Sequence, residues 1–510
     1  MRRTFFIVGA AFLLLAPCVH AQKSADTVRI GFNDPLSTVD PDVDPKPESN
    51  FVGKAVFDSL IYYSADQKGF TPFLAESWKR IDDTTIEFKL RTDVTWHDGQ
   101  AFDADDVVYT MNWIADPKTK YRFKDQVDFI KGAEKIDAHT VRVMSKTKTA
   151  IDLVRYAVSV RMRPQHVMST FENFADFGRK NPVGTGMYKP VAINPNTGIV
   201  LEKNPAFAHG GPAGVSAKVG RIHVLPIPDA QTQTAQLITG NLDIALDLPK
   251  DQAEQLAKDP RFALTATQSL VFFYLNMDSA GRTKLKAFTD QRVRKAVSMA
   301  VDRDSLVKNL IPGGDQVRTV DALCFPVQQG CAWSTRPVGY DPAAAKRLLA
   351  EAGYPNGFDL ELSALEGAHD VGEAIAGQLR AIGVRTSLRR HTFGTYRKAQ
   401  ADNELQAFVG RYSSGGLPDT SALLEFFVGR TPRDYTHDEV LDRLAEEGAL
   451  ELDVEKRKQI YGRAMDRFNE MNYVLPIATN PAVFVHTSDI RIKTGSLNNF
   501  GIESSDISWR

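Results

Sequence analysis

From residue 341 to residue 410 the sequence alternates regularly between helix and strand patterns. Asp341 can cap a helix that has Pro342 at its first position. The patterns that follow predict a strand, a helix, a strand, a helix and a strand, at residues 358–363, 371–382, 384–388, 396–402 and 405–410. Strands that alternate with helices favour a parallel, doubly wound sheet. Ligands of such sheets bind beyond the carboxyl ends of the strands, so the residues after 410 are the first candidates for a site.

The length of the chain predicts more than one folded unit. It has 510 residues, which is too long for one compact core. We find no internal repeat, low-complexity tract or flexible Gly/Ser linker, which favours lobes joined by strands that can close as hinged bodies. The 62 basic and 63 acidic side chains give a formal net charge of −1. This balance gives no reason to expect nucleic acid or an anionic membrane surface as a partner.

The N-terminal segment has the pattern of a secretory signal peptide. Arg2 and Arg3 precede an apolar run, Phe5–Leu15, that is too short to span a bilayer, and small residues precede a cleavage point after Ala21. We therefore expect a periplasmic mature protein, with a formal charge of −3 and no second apolar run of membrane-spanning length. Lipidation at Cys18 and export by the twin-arginine route remain open as alternatives.

Two cysteines remain in the predicted mature chain, Cys324 and Cys331. They lie in a predicted loop between two helical patterns, with six residues between them. In an oxidising compartment such a pair can close a disulfide. The spacing is not C-x-x-C and no His lies nearby, so a structural disulfide is favoured over a thiol or metal pair.

The segment from residue 75 to residue 110 predicts a strand, a turn and a capped helix. Apolar and charged residues alternate from Thr85 to Arg91, Asp98 and Gly99 supply a turn, and Asp103 can cap the next helix. Over more than thirty residues this segment resembles the signature of the bacterial extracellular solute-binding proteins of family 5. That family feeds peptides, nickel complexes and related solutes to ABC importers, and its signature is scaffold and not binding site.

The resemblance includes two further segments, a Gly-rich turn at 181–186 and a strand and helix at 275–297. It implies an α/β periplasmic binding protein of type II, cluster C-like, with two lobes of mixed sheets, a two-strand hinge and a peripheral subdomain. The chain would cross between the lobes near 267–276 and 478–485. The implied division is a signal peptide at 1–21, lobe one at 22–58, 188–268 and 486–510, a peripheral subdomain of lobe one at 59–187, and lobe two at 269–485.

The residues around the end of the last predicted strand are the main candidates for a ligand site. The candidates are Gly410, Arg411, Tyr412, Ser413 and Ser414. They combine a close backbone approach, a permanent cation suited to a carboxylate or phosphate, a stacking face and hydroxyl groups. The alternative for Arg411 is a purely structural role at the end of a strand, in an ion pair with a nearby carboxylate such as Asp419.

The resemblance also implies that the residue which binds a ligand's ammonium group in the family is replaced in this chain. Arg411 stands where peptide binders of the family often carry an aromatic residue, and Ser414 stands where they carry an Asp that holds the ligand's ammonium group. A buried ammonium without a carboxylate partner costs several kcal/mol. We therefore expect an acidic or strongly polar solute, such as a modified peptide, an opine-like compound, a sugar conjugate or a metal in an acidic chelator, more than an ordinary free-amine peptide.

Other strand ends supply weaker candidates. By analogy with the fold, Asn33, Asp247 and Leu248 could line the cleft from lobe one. The loop at 364–370 carries Glu366 and His369, which could face either the cleft or solvent.

The function that fits these observations best is that of a periplasmic substrate-binding component of an ABC importer. It would capture a peptide-like or acidic small solute and deliver it to a membrane permease, with the ATPase as a separate subunit. The sequence contains no H-E-x-x-H, G-x-S-x-G or Walker A motif, so we expect no enzymatic activity, cofactor or protein-built metal site. We also expect a monomer that neither binds nucleic acid nor spans the membrane. The alternatives are a binder of a chelated metal such as nickel, a solute sensor and, more remotely, a periplasmic hydrolase.

Overall fold

The computed structural model describes residues 25–510, apart from 45, 65–68, 120, 122–123, 208–214 and 497–499. The predicted signal peptide, with Cys18, lies outside the described residues. The strands are β1 (Thr27–Phe32), β2 (Ile61–Ser64), β3 (Gly69–Pro72), β4 (Ala75–Asp82), β5 (Thr85–Leu90), β6 (Ile130–Asp137), β7 (Thr140–Ser145), β8 (Tyr188–Asn194), β9 (Gly198–Lys203), β10 (Arg221–Pro226), β11 (Ile244–Leu246), β12 (Phe262–Thr267), β13 (Val271–Met277), β14 (Asp359–Leu365), β15 (Arg385–His391), β16 (Ala407–Ser413), β17 (Val474–Thr479), β18 (Ala482–Thr487), β19 (Ile490–Ile492) and β20 (Ile507–Trp509).

The α-helices connect and cover these strands. They are α1 (Pro47–Val56), α2 (Ala104–Ala115), α3 (Lys124–Val127), α4 (Asp152–Val158), α5 (Gln165–Met168), α6 (Phe177–Lys180), α7 (Ala230–Ile238), α8 (Lys250–Leu256), α9 (Gln291–Met299), α10 (Arg303–Asn309), α11 (Pro342–Glu351), α12 (His369–Ala381), α13 (Phe393–Ala401), α14 (Ser421–Phe427), α15 (Glu439–Leu450) and α16 (Val454–Met471). None of the helices in the described residues is both long and apolar enough to cross a membrane.

The first large sheet has seven strands in the order β12-β18-β11-β1-β10-β9-β8. Strand β1 lies parallel to β10 on one side and to β11 on the other, and the remaining neighbours are antiparallel. Because β1 and β11 are parallel, their carboxyl ends meet at one edge of the sheet. This topology places the residues after Phe32 beside those after Leu246.

The second large sheet has five strands in the order β15-β14-β16-β13-β17. Strand β14 is parallel to β15 and to β16, which confirms the parallel arrangement predicted for this part of the chain. Strand β13 is antiparallel to β16 and β17, so the whole sheet is mixed. The carboxyl ends of β14, β15 and β16 share one edge.

The chain passes between the two large sheets twice. It crosses once between β12 and β13, at residues 268–270, and returns between β17 and β18, at residues 480–481. The two crossings touch, because the Ser269 Oγ donates to the Asn480 carbonyl at 2.9 Å and the Asn480 N–H donates to the Val271 carbonyl at 2.9 Å. Leu270 lies in the left-handed region at φ +51°, where the chain bends. Two short adjacent connections are the geometry of a hinge.

A four-stranded antiparallel sheet, β4-β5-β7-β6, packs against α2 and contains the segment that resembles the family signature. Asp103 caps α2, as the sequence predicts, because its side chain accepts the N–H of Asp105. It also forms a capping box with Asp106. Gly99 takes φ +90° in the predicted turn. Trp96 is buried and donates its indole N–H to Asp106 at 2.9 Å. The signature is therefore scaffold for this small sheet.

Cys324 and Cys331 are joined by a disulfide. The loop that they close packs against the chain after β16. The Gln329 N–H donates to the Pro418 carbonyl at 2.8 Å, and the Thr420 N–H donates back to the Gln329 carbonyl at 3.0 Å. The bridge therefore holds a loop that braces the segment after β16.

Candidate functional site

A crevice of about 930 Å³ opens between the two large sheets. Both edges defined by carboxyl ends of parallel strands contribute to it. Residues of lobe one at 33, 247–251 and 254 line one wall, and residues of lobe two at 367, 369–371, 390 and 411 line the other. Ser269 and Asn480, at the two crossings, lie between these walls. A site that includes both walls and the hinge can couple ligand binding to closure of the lobes.

Arg411 is the central cation of the lobe-two wall. It lies on β16 opposite Phe273 of β13, which also lines the crevice. Its side chain is exposed, and among the described residues it forms no salt bridge. An Arg guanidinium is permanently charged and presents several donors in a fixed plane, which suits a carboxylate. Arg411 is therefore available to an acidic ligand group.

The loop after β14 sets the position of Arg411. A Cβ added to Gly367 would lie 2.4 Å from the Arg411 Nη1 atom, and Gly367 takes φ +78°. The positive φ favours glycine, and a Cβ would force the Arg411 guanidinium to shift. Arg411 therefore extends across the backbone of this loop toward the crevice.

Arg390 adds a second cation to the same wall and was not predicted from the sequence. It is exposed in the crevice, whereas its neighbour Arg389 points to the other side and pairs with Glu361 and Glu404 at 3.4 and 3.3 Å. For His369 the sequence did not decide between the cleft and solvent. In the structure it also lines the crevice, and its ring lies 3.3 Å from the His391 carbonyl. The signal for Arg390 was its place near the carboxyl end of a parallel strand.

Asp247 faces the crevice from lobe one, directly after β11. Its backbone takes φ +47°, and its N–H donates to the Val483 carbonyl at 3.0 Å. The carboxylate is reached by water and forms no salt bridge in the described part of the chain. Desolvation by the enclosing protein raises the pKa of Asp247, while the charge of Arg411 acts in the opposite direction. The charges of Asp247 and Arg411 therefore interact across the crevice.

Glu48 lies behind this acidic wall, in the first turn of α1. It is only 8% exposed. Burial, and then the charges of Asp34 and Asp247, raise the pKa of Glu48 to about 7, against the opposite effect of Lys46. Burial is the main cause of this shift, and the two neighbouring carboxylates add to it.

Asn33 and Leu248, both predicted from the sequence, also line the crevice. The Asn33 Oδ1 accepts the amide of Gln233 at 2.7 Å, and the Gln233 Oε1 accepts the N–H of Leu246 at 2.9 Å. Gln233 is buried and so joins the ends of β1 and β11. Leu248 is 1% exposed, which makes it mainly a packing residue of this wall.

The other predicted residues around Arg411 lie away from this crevice. Tyr412 is 1% exposed and packs in an aromatic cluster with Phe272 and Phe427, on the opposite face of β16. Gly410 is buried, and a Cβ there would lie 2.5 Å from the Tyr274 hydroxyl. The stacking face expected of Tyr412 is therefore used inside the protein core.

The two serines lie beyond the crevice lining as well. The Ser413 Oγ accepts the N–H of Gly415 at 3.2 Å and so serves the turn. The Ser414 Oγ is buried and without a hydrogen-bond partner among the described residues. Ser414 therefore brings no carboxylate and no direct contact to the crevice.

Two expectations about this region are wrong. The strand does not end at residue 410 but continues to Ser413, because β13 pairs with it as far as Val271. Asp419 is not a partner of Arg411, because the buried Asp419 carboxylate binds the guanidinium of Arg457 at 2.5 and 2.7 Å. The structural alternative for Arg411 thus loses its proposed partner.

The described residues contain no group of three or more His, Cys, Asp or Glu side chains arranged to hold a metal ion. A metal carried inside a chelating ligand would need no such group.

Comparisons with known proteins agree with this geometry. Residues 69–434 match the model of the bacterial extracellular solute-binding proteins, family 5 (middle region). The chain is 29% identical to the glutathione-binding protein GsiB of Pectobacterium atrosepticum over 71% of this chain and 67% of that protein. It is 26% identical to GsiB of Escherichia coli K12 over 95% of this chain and 94% of that protein.

Among solved structures, the chain is similar to the ABC transporter-associated periplasmic binding protein DppA of Helicobacter pylori, in complex with the peptide STSA. The TM-score is 0.77 at 21% identity, over 96% of this chain and all of that chain. The overall fold is thus that of the type II periplasmic binding proteins.

Proposed function

This chain belongs to the bacterial extracellular solute-binding proteins of family 5, and we propose that it captures an acidic, peptide-like solute in the crevice between its lobes. As a member of this family it is the substrate-binding component of an ABC importer. The loaded protein would then dock on a membrane permease, which acts with a separate ATPase. We further propose that the N-terminal signal peptide directs it to the periplasm, where it works as a monomer.

Arg411 is the observation that carries the acidic part of this proposal. It is an exposed cation in the crevice that forms no salt bridge among the described residues, and Arg390 adds a second positive charge to the same wall. Closure of the crevice around a ligand would exclude water from Arg411, and its attraction to an anionic partner strengthens as the local dielectric falls. The ligand's carboxylate supplies that partner.

The size of the crevice suits a solute of peptide dimensions. Ligand pockets typically enclose about 300–1,000 Å³, and the crevice of about 930 Å³ lies at the upper end of that range. A micromolar ligand requires about −8 kcal/mol. A charge-assisted contact with Arg411 contributes about 1.5–3 kcal/mol, so the remainder would come from apolar contacts such as Phe273 and from backbone groups.

Closure around the ligand is the proposed signal to the permease. The lobes are joined by two adjacent connections at residues 268–270 and 480–481, which allows a hinge. A ligand shifts the population toward the closed state only if it binds that state more tightly. Contacts from both walls of the crevice would give this difference in affinity.

Calorimetric titration with glutathione and with acidic peptides tests the proposal. We expect Arg411→Ala to weaken binding of an acidic probe at least tenfold, because it removes a charge-assisted contact worth about 1.5–3 kcal/mol. Arg389→Ala is the matched control, since Arg389 is an exposed cation that points away from the crevice. Equal affinities of wild type and Arg411→Ala would remove Arg411 from the site, and chemical turnover of a bound probe would favour the hydrolase instead.

A further inference from the structure

The two walls of the crevice carry opposite charges at the places where parallel strands end. The lobe-two wall presents Arg390 and Arg411. The lobe-one wall presents three carboxylates, Asp247, Asp251 and Glu254, and one cation, Lys250, whose ammonium group donates to the Lys308 carbonyl at 2.8 Å. The nearby Asp34 adds to the negative charge. Because the walls belong to different lobes, a ligand with both charges can bridge them.

Lobe two offers no suitable carboxylate near Arg411 to bind an ammonium group. Ser414 is neutral and outside the crevice, and Asp419 is committed to Arg457. Asp370 lines the crevice, but it lies in the wall that also contains Arg390 and Arg411, whose charges oppose an ammonium group.

Asp247 has the features that a residue needs to bind an ammonium group. Its carboxylate is accessible, forms no salt bridge among the described residues and lies close enough to Arg411 for the two charges to interact. Its backbone adopts φ +47°, a conformation that is uncommon for residues other than glycine and that clusters at functional sites. Here it occurs directly at the end of β11, where the Asp247 N–H is held by Val483.

Glu48 lies close to the carboxylates of this wall. It is more than nine-tenths buried, and it forms no ion pair within the described residues. It lies within electrostatic range of Asp34 and Asp247, and Lys46 is the cation that partly offsets them. Lys46 also contacts Asp34 at 4.0 Å and Asp44 at 3.8 Å, so its charge is shared. A cation placed at Asp247 would relieve repulsion among these carboxylates.

We propose that the crevice binds a zwitterionic peptide across the lobes, with its free α-ammonium group on Asp247 and a carboxylate on Arg411. This inference rests on the proposed function and assigns the ligand's polarity within the same site. It replaces the expectation from the sequence that free-amine peptides are disfavoured, because the carboxylate missing at Ser414 is supplied by the other lobe. A ligand with only one of the two charges engages one lobe and closes the protein less effectively.

Calorimetry with matched probes tests the assignment. The probes are glutathione, the tripeptide Ala-Ala-Glu and the N-acetylated form of each, which keeps the carboxylates and removes the ammonium charge. For wild type we expect N-acetylation to weaken binding at least tenfold. Asp247→Asn should remove most of that difference by weakening the free-amine probes, while the N-acetylated probes change less than twofold. Asn tolerates the left-handed backbone, so the fold should be retained.

Asp370→Asn is the matched control, because Asp370 is an exposed carboxylate of the same crevice in the other lobe. It should keep the wild-type preference for the free amine. A wild-type protein that binds free and N-acetylated probes equally would overturn the assignment, and so would an Asp247→Asn variant that weakens both forms equally.

Proton release gives a second measurement that needs no variant. Titrations at pH 7 in buffers of different ionisation enthalpy should show more protons released with the free-amine probes than with the N-acetylated probes, because a bound ammonium group favours the ionised form of Glu48, whose pKa is raised to about 7. Equal release would count against the assignment. If Arg411→Ala weakens all acidic probes while N-acetylation has no effect, the proposed function stands and this inference fails. If no acidic probe binds folded wild type, the proposed ligand class fails as well.

Discussion

The two edges that face the crevice follow the same topological rule but differ in charge. In the seven-stranded sheet the ends of β1 and β11 bring Asn33 and Asp247 together, and in the five-stranded sheet the ends of β14, β15 and β16 bring Gly367, Arg390 and Arg411 together. The rule that ligands bind at carboxyl ends locates both edges. It says nothing about their charge, and it is the charges that restrict the ligand's chemistry.

The two edges also hold their charged groups by different means. Asp247 stands in a left-handed conformation fixed by a backbone hydrogen bond to Val483, whereas Arg411 lies in a regular strand and reaches past a glycine. The acidic group is therefore placed by the backbone and the basic group by side-chain packing. We expect mutations to affect the two edges differently.

The strongest test of the comparison makes both edges acidic. Arg411→Glu should weaken an acidic probe by about 100-fold or more, because it replaces an attraction by a repulsion between like charges in a partly enclosed site. The measurement is calorimetric titration with Ala-Ala-Glu at low salt.

The same change at Arg389 serves as its control. Arg389→Glu adds the same charge on the face of β15 that points away from the crevice, and it should change the affinity less than threefold. Similar losses in both variants would mean that the net charge of lobe two matters, and not the position of Arg411.

A second test concerns the titration of Glu48, which lies behind the acidic edge. The pKa of folded Glu48 is raised to about 7 from an ordinary value of 4.5, so wild type loses folding free energy as the pH rises from about 4.5 to 7, and the loss is complete above 7. Glu48→Gln abolishes this titration. Relative to wild type, the variant should gain about 2 kcal/mol of unfolding free energy between pH 5 and pH 8, at about 1.4 kcal/mol per pKa unit.

Urea unfolding of the ligand-free protein at pH 5, 6, 7 and 8 measures this difference. Glu254→Gln, at an exposed carboxylate that lines the same crevice, should follow the wild-type curve. Parallel stability curves for wild type and Glu48→Gln would show that Glu48 is ionised across this range and that its pKa is not raised.

The smallest expected effect concerns the placement of Arg411. Gly367→Ala introduces a Cβ about 2.4 Å from the Arg411 Nη1 atom and strains a residue at φ +78°. We expect a three- to tenfold loss of affinity for acidic probes, together with about 1 kcal/mol of lost stability from the backbone strain.

Gly353→Ala separates these two consequences. Gly353 takes φ +94° but has open space around its Cα, so the variant carries the backbone strain without touching Arg411. It should lose similar stability and keep the wild-type affinity. If both glycine variants bind equally well, Arg411 does not depend on the loop after β14.

Much of the local structure could be predicted because it depends on short-range physics. The capped helix at Asp103, the turn at Gly99 and the helix that begins at Pro342 follow from side-chain caps and backbone preferences, and the structure confirms them. The family and the alternation of parallel strands and helices around β14 are also confirmed.

The candidate site was predicted only in part. The alternation of side chains along a strand implies that Arg411 and Tyr412 point to opposite faces. It does not say which face is open, because both faces of the five-stranded sheet are covered by apolar clusters and only one of them ends at the crevice. Arg390 was missed for a similar reason. Arg389 and Arg390 carry the same charge, and the sequence does not show that Arg389 pairs with acidic residues while Arg390 lines the crevice.

The sequence by itself determined the elements, the two-lobed architecture implied by the family, and a permanent cation near the end of a strand. Only the tertiary structure decided which groups meet: that Asp419 belongs to Arg457, that Tyr412 belongs to the core, and that Asp247 of one lobe faces Arg411 of the other. The physical reason is that caps, turns and strand periodicity act over a few residues. The charge balance of a crevice depends on side chains more than a hundred residues apart, which only the packing of two lobes brings together.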